Sequence, residues 1–141
     1  MIKFKSNARK VSIDLRNAAN VDTTPLMREI AGDLEDITET AFQKESDPVT
    51  GRPWKALARA TIKYRTRIKK WPGKKLQVFG MLAGRIQTDF SRTKARIGSS
   101  VEYAGFVQDR RRFIGLSRIH KKKIKKKAAL FVLRSIRKRG Q

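Results

Sequence analysis

The chain has 141 residues, with 35 Lys+Arg against 12 Asp+Glu and a formal net charge of +23. The absence of Cys removes thiol nucleophiles, disulfides and thiolate metal sites, and the single histidine, His120, removes any multi-His metal centre. No apolar run approaches the roughly 20 residues that span a bilayer, and Met1-Ile2-Lys3-Phe4-Lys5 lacks the apolar core of a signal peptide. A cytoplasm-like compartment of assembly and no membrane partner are therefore expected.

With 39% hydrophobic residues the chain can form one core, so a single domain over residues 1–141 is expected. Such a charge attracts polyanions and repels further copies of the same chain. The charge is uneven. Residues 22–47 hold eight acids against two bases, whereas residues 51–75 hold ten bases and no acid. An acidic element on a basic body can pair with its own fold or with a neighbouring copy.

Residues 1–9 read as a flexible basic arm. Lys10-Val11-Ser12-Ile13-Asp14-Leu15-Arg16 alternates with period two, which predicts a half-buried strand. Thr24-Pro25 supplies a cap and a first-turn proline. Leu26, Ile30, Leu34, Ile37 and Ala41 then form one apolar stripe of a helix ending near Gln43, with acids on its other sides. Ser46 to Pro53 is a loop by composition. Leu57, Thr61, Tyr64 and Ile68 predict a second helix ending near Lys70, and Trp71-Pro72-Gly73 stops it. Trp54 and Trp71, at its two ends, read as core or lid residues. Leu76 to Gly84 reads as a short helical piece.

Residues 85–90 and 94–98 both alternate around Ser91-Arg92-Thr93, the pattern of a β-hairpin. Residues 102–108 suit a short helix. A last helix from about Ser117 carries an apolar stripe of Ile124, Ala128, Phe131, Val132, Ser135 and Ile136, with 137–141 as a frayed tail. The fold class is α+β: a small antiparallel sheet packed with a long N-terminal-half helix, a basic middle helix and a basic C-terminal helix.

Catalysis has little support in these residues. There is no phosphate-binding glycine loop, and Asp33, Glu35, Asp36 and Glu39 read as an ordinary helix flank. Glu102 and Asp109 are isolated, and His120 reads as solvated filler. No catalytic residue, metal site or cofactor is expected. Polyanion contact has more support. Residues 110–141 carry fourteen Lys+Arg and no acid. Arg110, Arg111, Arg112, Lys121, Lys122, Lys123, Lys125, Lys126 and Lys127 are the candidate DNA contacts, against the plain alternative of a solvated face. No sequence-reading motif accompanies them, so any contact would be to phosphates. Asp33, Glu35, Asp36 and Glu39, with Leu130 and Leu133 off the main stripe of the last helix, are the candidate subunit contacts.

One set of residues resembles a known family. Asp47-Pro48-x-x-Gly51-Arg52-Pro53-Trp54-x-x-Leu57-x-x-x-Thr61 resembles the segment that marks the phage virion morphogenesis, or tail-completion, family of tailed bacteriophages. Leu76-Gln77-x-x-Gly80-x-Leu82 is similar to its step before the hairpin. Ile97-Gly98-x-x-Val101-x-Tyr103-Ala104-x-x-x-Gln108 is similar to its hairpin exit. Arg112-Phe113-Ile114-Gly115-Leu116-Ser117 is similar to its entry into the last helix. The four keep the family's order across about residues 24–136. The family's longer glycine-containing loop before the Arg-Phe step is replaced by Asp109, Arg110 and Arg111, and an arginine stands in place of its proline before Phe113.

The resemblance implies a non-enzymatic structural virion protein for tail completion or head–tail joining. It would act as a subunit of a homo-oligomeric ring at the neck or tail top, beside other neck or tail proteins and around packaged double-stranded DNA. It would be assembled in the host cytoplasm. The competing expectation is a sequence-independent nucleic-acid-binding protein of ribosomal or nucleoid type. Such a protein would have no need of the acidic helix.

Overall fold

A computed structural model describes residues 2–7, 10–15, 21–69, 85–101 and 104–139. The elements in chain order are β1 (Ile2–Asn7), β2 (Lys10–Leu15), α1 (Thr24–Lys44), α2 (Arg59–Arg67), β3 (Ile86–Phe90), β4 (Lys94–Ser99), α3 (Ala104–Arg110) and α4 (Arg118–Arg139). All strand pairs are antiparallel, in the order β1-β2-β4-β3. The architecture is α+β, as the alternating and helical periods indicate.

Register decides which side chains face the core. Phe4 is opposite Ile13, Ile13 opposite Ala95, and Val11 opposite Ile97. These residues, with Ile2 and Leu15, share one face, and α1 packs on its β3–β4 side. Leu26 and Ile30 are fully buried and Leu34 is 2% exposed, so the stripe read from the sequence is the stripe that packs. Burying a Leu or Ile side chain contributes about 1.5–3 kcal/mol.

The ends of α1 are set by single residues. Thr24 does not cap it. The N-cap position is Thr23, which makes no side-chain cap bond, and Asp22 before it accepts the Thr24 N–H at 3.1 Å and the Thr24 hydroxyl at 2.7 Å. Those two bonds, the hydroxyl's first, hold the Asp22 carboxyl below its ordinary pKa. The Thr23 hydroxyl donates to the Arg92 carbonyl and so ties the helix start to the β3–β4 turn. At the other end Glu45 adopts the left-handed conformation, φ 51° and ψ 47°, which stops the helix.

The structure corrects four expectations. Residues 2–7 are a strand and not a loose arm. Ile2 and Phe4 alternate with Lys3 and Lys5, so the segment offers apolar residues to the core and lysines to the other face. The second helix is short: Leu57 lies before it, Tyr64 is 44% exposed, and Arg65 is the residue it buries. The carbonyls of Lys55 and Ala56 accept bonds from the Arg111 guanidinium, at 3.0 and 3.1 Å, which holds them outside a helix. Third, the segment expected as a tail from 137 is part of α4 as far as Arg139. Fourth, its apolar stripe leaves the core after Phe131, with Ile136 47% exposed. A helix of 22 residues is about 33 Å long, whereas six-residue strands reach about 20 Å. The helix therefore outruns the sheet. The expected piece from Leu76 to Gly84, and Trp71, lie outside the described residues.

Candidate functional site

Residues from two of the segments that carry the resemblance, 47–54 and 108–115, converge on one place. Asp47 opens a tight loop, its Oδ1 accepting the N–H of Val49 at 2.7 Å and of Thr50 at 3.3 Å. Its carbonyl accepts the Gly51 N–H at 2.7 Å. Gly51 has φ +74°, a conformation that glycine adopts without steric cost. Ser46 and Pro53 bridge the two ends of the loop. The chain then delivers Trp54, 4% exposed, into the core. Its indole meets Phe42 edge-on at 5.7 Å, and Phe42 lies 5.5 Å from Phe113.

The 108–116 segment closes over this loop. The Trp54 indole N–H donates to the Arg112 carbonyl at 2.7 Å, and the Arg112 Nε donates to Asp47 Oδ2 at 3.1 Å. Gln108 turns back on its own chain. Its Oε1 accepts the N–H of Phe113 and of Ile114 at 3.0 and 3.1 Å, and its Nε2 donates to the Ile114 carbonyl. Gly115 packs so closely that a Cβ there would lie 2.5 Å from the Val49 side chain. A side chain at 115 would push the two segments apart. Pro48, Gly51, Trp54, Gln108, Phe113 and Gly115 therefore form one clamp.

Other motif residues lie elsewhere. Leu57 and Thr61 are half-buried beside and within α2, and Ala104 is fully buried at the start of α3. Gly80, Leu82 and Tyr103 lie outside the described residues.

The candidate polyanion contacts divide. Arg111 and Arg112 bond the 47–56 loop, as above. Lys127 donates to Asp33 at 2.6 Å and stands 4.0 Å from Glu29. Thus Asp33 meets a basic residue of its own chain. Lys121 and Lys125 lie 5.7 and 5.8 Å from the centre of the Phe4 ring, at cation–π range. Lys122 and Lys126 are exposed on the outward face, Lys123 is exposed at the edge of α4 that faces α1, and Arg110 is exposed on α3. Among the candidate subunit contacts Glu35, Asp36 and Glu39 are exposed, as are Leu130 and Leu133.

Several working residues escape the sequence reading. His120 is no filler. Ser117 Oγ accepts the His120 N–H and His120 Nδ1 accepts the Ser117 N–H, both at 3.1 Å. This is a capping box with a neutral imidazole in the usual acid's place. Partial burial, then Lys123, pushes the imidazole pKa below its ordinary value. The Ser-x-x-His spacing was the available signal. Arg65 is 3% exposed, and burial lowers its pKa while the Glu45 carboxylate opposes that shift.

A groove of about 740 Å³ runs between the second half of α1, the 46–51 loop and the start of α4. Its walls mix Ile37, Val49 and Ile124 with Asp36, Lys44 and Lys123. Among the described residues no cluster of three or more His, Asp or Glu side chains is placed to hold a metal ion. None of the described helices is long and apolar enough to cross a membrane.

The clamp defines a class of protein in which the characteristic residues hold architecture and the charge faces outward. Comparison with known proteins gives the family. The chain belongs to the phage virion morphogenesis family, whose model matches residues 7–123. It is 37% identical over 81 residues to the putative capsid assembly protein G of Escherichia phage Mu, covering 57% of this chain and 52% of that protein. It is 34% identical over 110 residues to the Mu-like prophage FluMu G protein 1 of Haemophilus influenzae, covering 76% of this chain and 74% of that one. The chain thus spans about half the length of the Mu protein in the first of these matches. No solved structure matches it. The resemblance read from four ordered motifs holds at the level of the family.

Proposed function

We propose that this protein is a structural component of a tailed-phage particle, acting without chemistry in tail completion or head–tail joining as a ring subunit at the neck or tail top. The family match across residues 7–123 carries the reading. The clamp supports it, because it fixes a rigid body from segments about 60 residues apart. The Mu relative's name, a putative capsid assembly protein, agrees with a role in building the particle.

Ring closure requires unlike surfaces on one subunit to meet. The exposed acids Glu35, Asp36 and Glu39 on α1 and the exposed apolar residues Leu130 and Leu133 on the overhanging end of α4 supply such surfaces. Asp33 contributes less, since Lys127 of the same chain already pairs with it. The partners are further copies of the chain and other neck or tail proteins, and the finished protein resides in the virion.

Electron microscopy of particles made without the gene tests the assignment. Filled heads lying beside free tails, rejoined when the gene is supplied in trans, are expected. Absent or unfilled heads would place the protein in capsid assembly instead. Reversing Glu35, Asp36 and Glu39 to Lys should abolish the ring by size-exclusion chromatography while circular dichroism stays native. The contrast should shrink in high salt, since the Debye length is about 8 Å at physiological ionic strength.

A further inference from the structure

The sheet has a second face. Residues that alternate with the core positions point away from α1, and the register gathers them. Lys3 is opposite Asp14, and Asp14 opposite Lys94. One row along, Lys5 is opposite Ser12, Ser12 opposite Arg96, and Arg96 opposite Asp89. In the third row Asn7 is opposite Lys10, Lys10 opposite Gly98, and Gly98 opposite Gln87. Lys3, Lys5, Lys10, Lys94 and Arg96 thus share one face, and all five are exposed.

Among the described residues of this face two carboxylates stand against the five cations. Asp14 is buried at 5% exposure, and Asp89 is bonded to Arg96 at 2.6 Å. Ser12 and Gly98 keep the middle of the face low, and Lys5, Lys10 and Ser12 border a shallow depression of about 550 Å³ at the β1 side. Strands about 4.8 Å apart with same-face residues about 6.7 Å apart hold these cations on a fixed grid. The lysines of α4 have no such arrangement. Lys127 is paired with Asp33, as Arg96 is with Asp89, and Lys121 and Lys125 lie over Phe4, whereas Lys3, Lys5, Lys10 and Lys94 are exposed.

We propose that the outer face of the sheet is a duplex-DNA surface, with Lys3, Lys5, Lys10, Lys94 and Arg96 as its phosphate contacts. Charge complementarity selects a polyanion. The rows set out above bring no aromatic side chain to this face for bases to stack on, and Phe4, at the rim of the depression, has its ring engaged by Lys121 and Lys125, which selects a duplex backbone over single strands. A rigid sheet holds its cations at fixed spacing, so binding orders few side-chain freedoms beyond the lysine tips. The face reads no bases. That the duplex met in the cell is packaged phage DNA rests on the neck assignment, whereas binding by the purified chain does not.

The test is fluorescence anisotropy of the full-length protein on short duplexes of unrelated sequence across a salt series. K3Q/K5Q/K10Q/K94Q/R96Q should weaken all sequences alike and flatten the log–log salt slope by about 4–5, at roughly 0.9 per phosphate for five contacts. K122Q/K123Q/K126Q, on the exposed side of α4, should leave the slope nearly unchanged. The reverse pattern overturns the proposal. Lysine acetylation of the unmodified protein gives an independent readout that no folding defect can cloud. Added duplex should protect Lys3, Lys5, Lys10 and Lys94 and spare Lys122, Lys123 and Lys126. Equal reactivity of the sheet lysines with and without duplex overturns it. So does protection that comes only with self-association, which would make the face a docking surface for an acidic protein. If particles lacking the gene fail at the head while duplex still protects the sheet lysines, the neck assignment falls and this surface stands.

Discussion

In the clamp, Asp47, Trp54, Gln108, Arg111 and Arg112 each bond another part of the chain, all but Gln108 across more than 50 residues. Along the last turns of α4, Leu130, Leu133 and Ile136 are 43%, 51% and 47% exposed, beside exposed Arg134, Arg137 and Lys138. The two regions teach different things about what a family-like motif marks. The recognisable residues sit where the fold is knotted. The surfaces proposed for partners lie on a helix end and on a sheet face where Gly98 is the one residue of the quoted motifs.

The contrast can be broken by substitution. Phe113→Ala should have the largest effect, about 3–5 kcal/mol by chemical denaturation, because the ring is fully buried against Phe42. Gln108→Leu should cost about 2–3 kcal/mol, since it leaves the N–H groups of Phe113 and Ile114 without their acceptor. An intact melting curve for either would show that the clamp is not what holds the fold. A double-mutant cycle on Asp33 and Lys127 should return less than about 1 kcal/mol, because both side chains are about one-third exposed.

A weaker effect is expected from the cap of α4. The folded state holds the His120 imidazole below its ordinary pKa, so the unfolded chain takes up the proton first. Stability should therefore be level above about pH 6.5 and fall as pH drops below it. His120→Gln should remove that component from the pH profile of urea unfolding; an unchanged profile would mean the imidazole takes no part in the cap. Leu133→Ser should change monomer stability by less than about 0.5 kcal/mol while weakening self-association in sedimentation velocity. A large loss of monomer stability would show that the overhang is packed after all.

The sequence made some of this legible. The Leu26–Ile30–Leu34 stripe and the 86–99 hairpin follow from period alone, because each is a local pattern with one buried face. β1 was obscured by its own lysines, whose charge reads as a loose arm although Ile2 and Phe4 alternate between them. α2 starts late for a reason no local period contains: Arg111 binds carbonyls 55 and 56 residues away. The clamp residues were visible as a resemblance, but their roles were not. Asp47 and Arg112 are 65 positions apart, and only the fold brings them to 3.1 Å. The basic sheet face could have been read from Lys3, Lys5, Lys10, Lys94 and Arg96 once the strand register was known.

The pairing of β2 with β4, Lys10 against Gly98 and Asp14 against Lys94, also dictates an order of events. The β1–β2 hairpin and α1 leave the ribosome early, yet their shared apolar face has no complete floor until Ala95 and Ile97 arrive. At about 5–20 residues per second, that wait lasts several seconds. Closing so long a loop is slow by nature, because its entropy is lost before any contact rewards it. A fragment ending at Thr93 would keep both early elements and should still fail to fold. On the ring assembly proposed above, competence to assemble thus comes late in synthesis, so that nascent chains tethered side by side on one message have no finished sheet to offer one another.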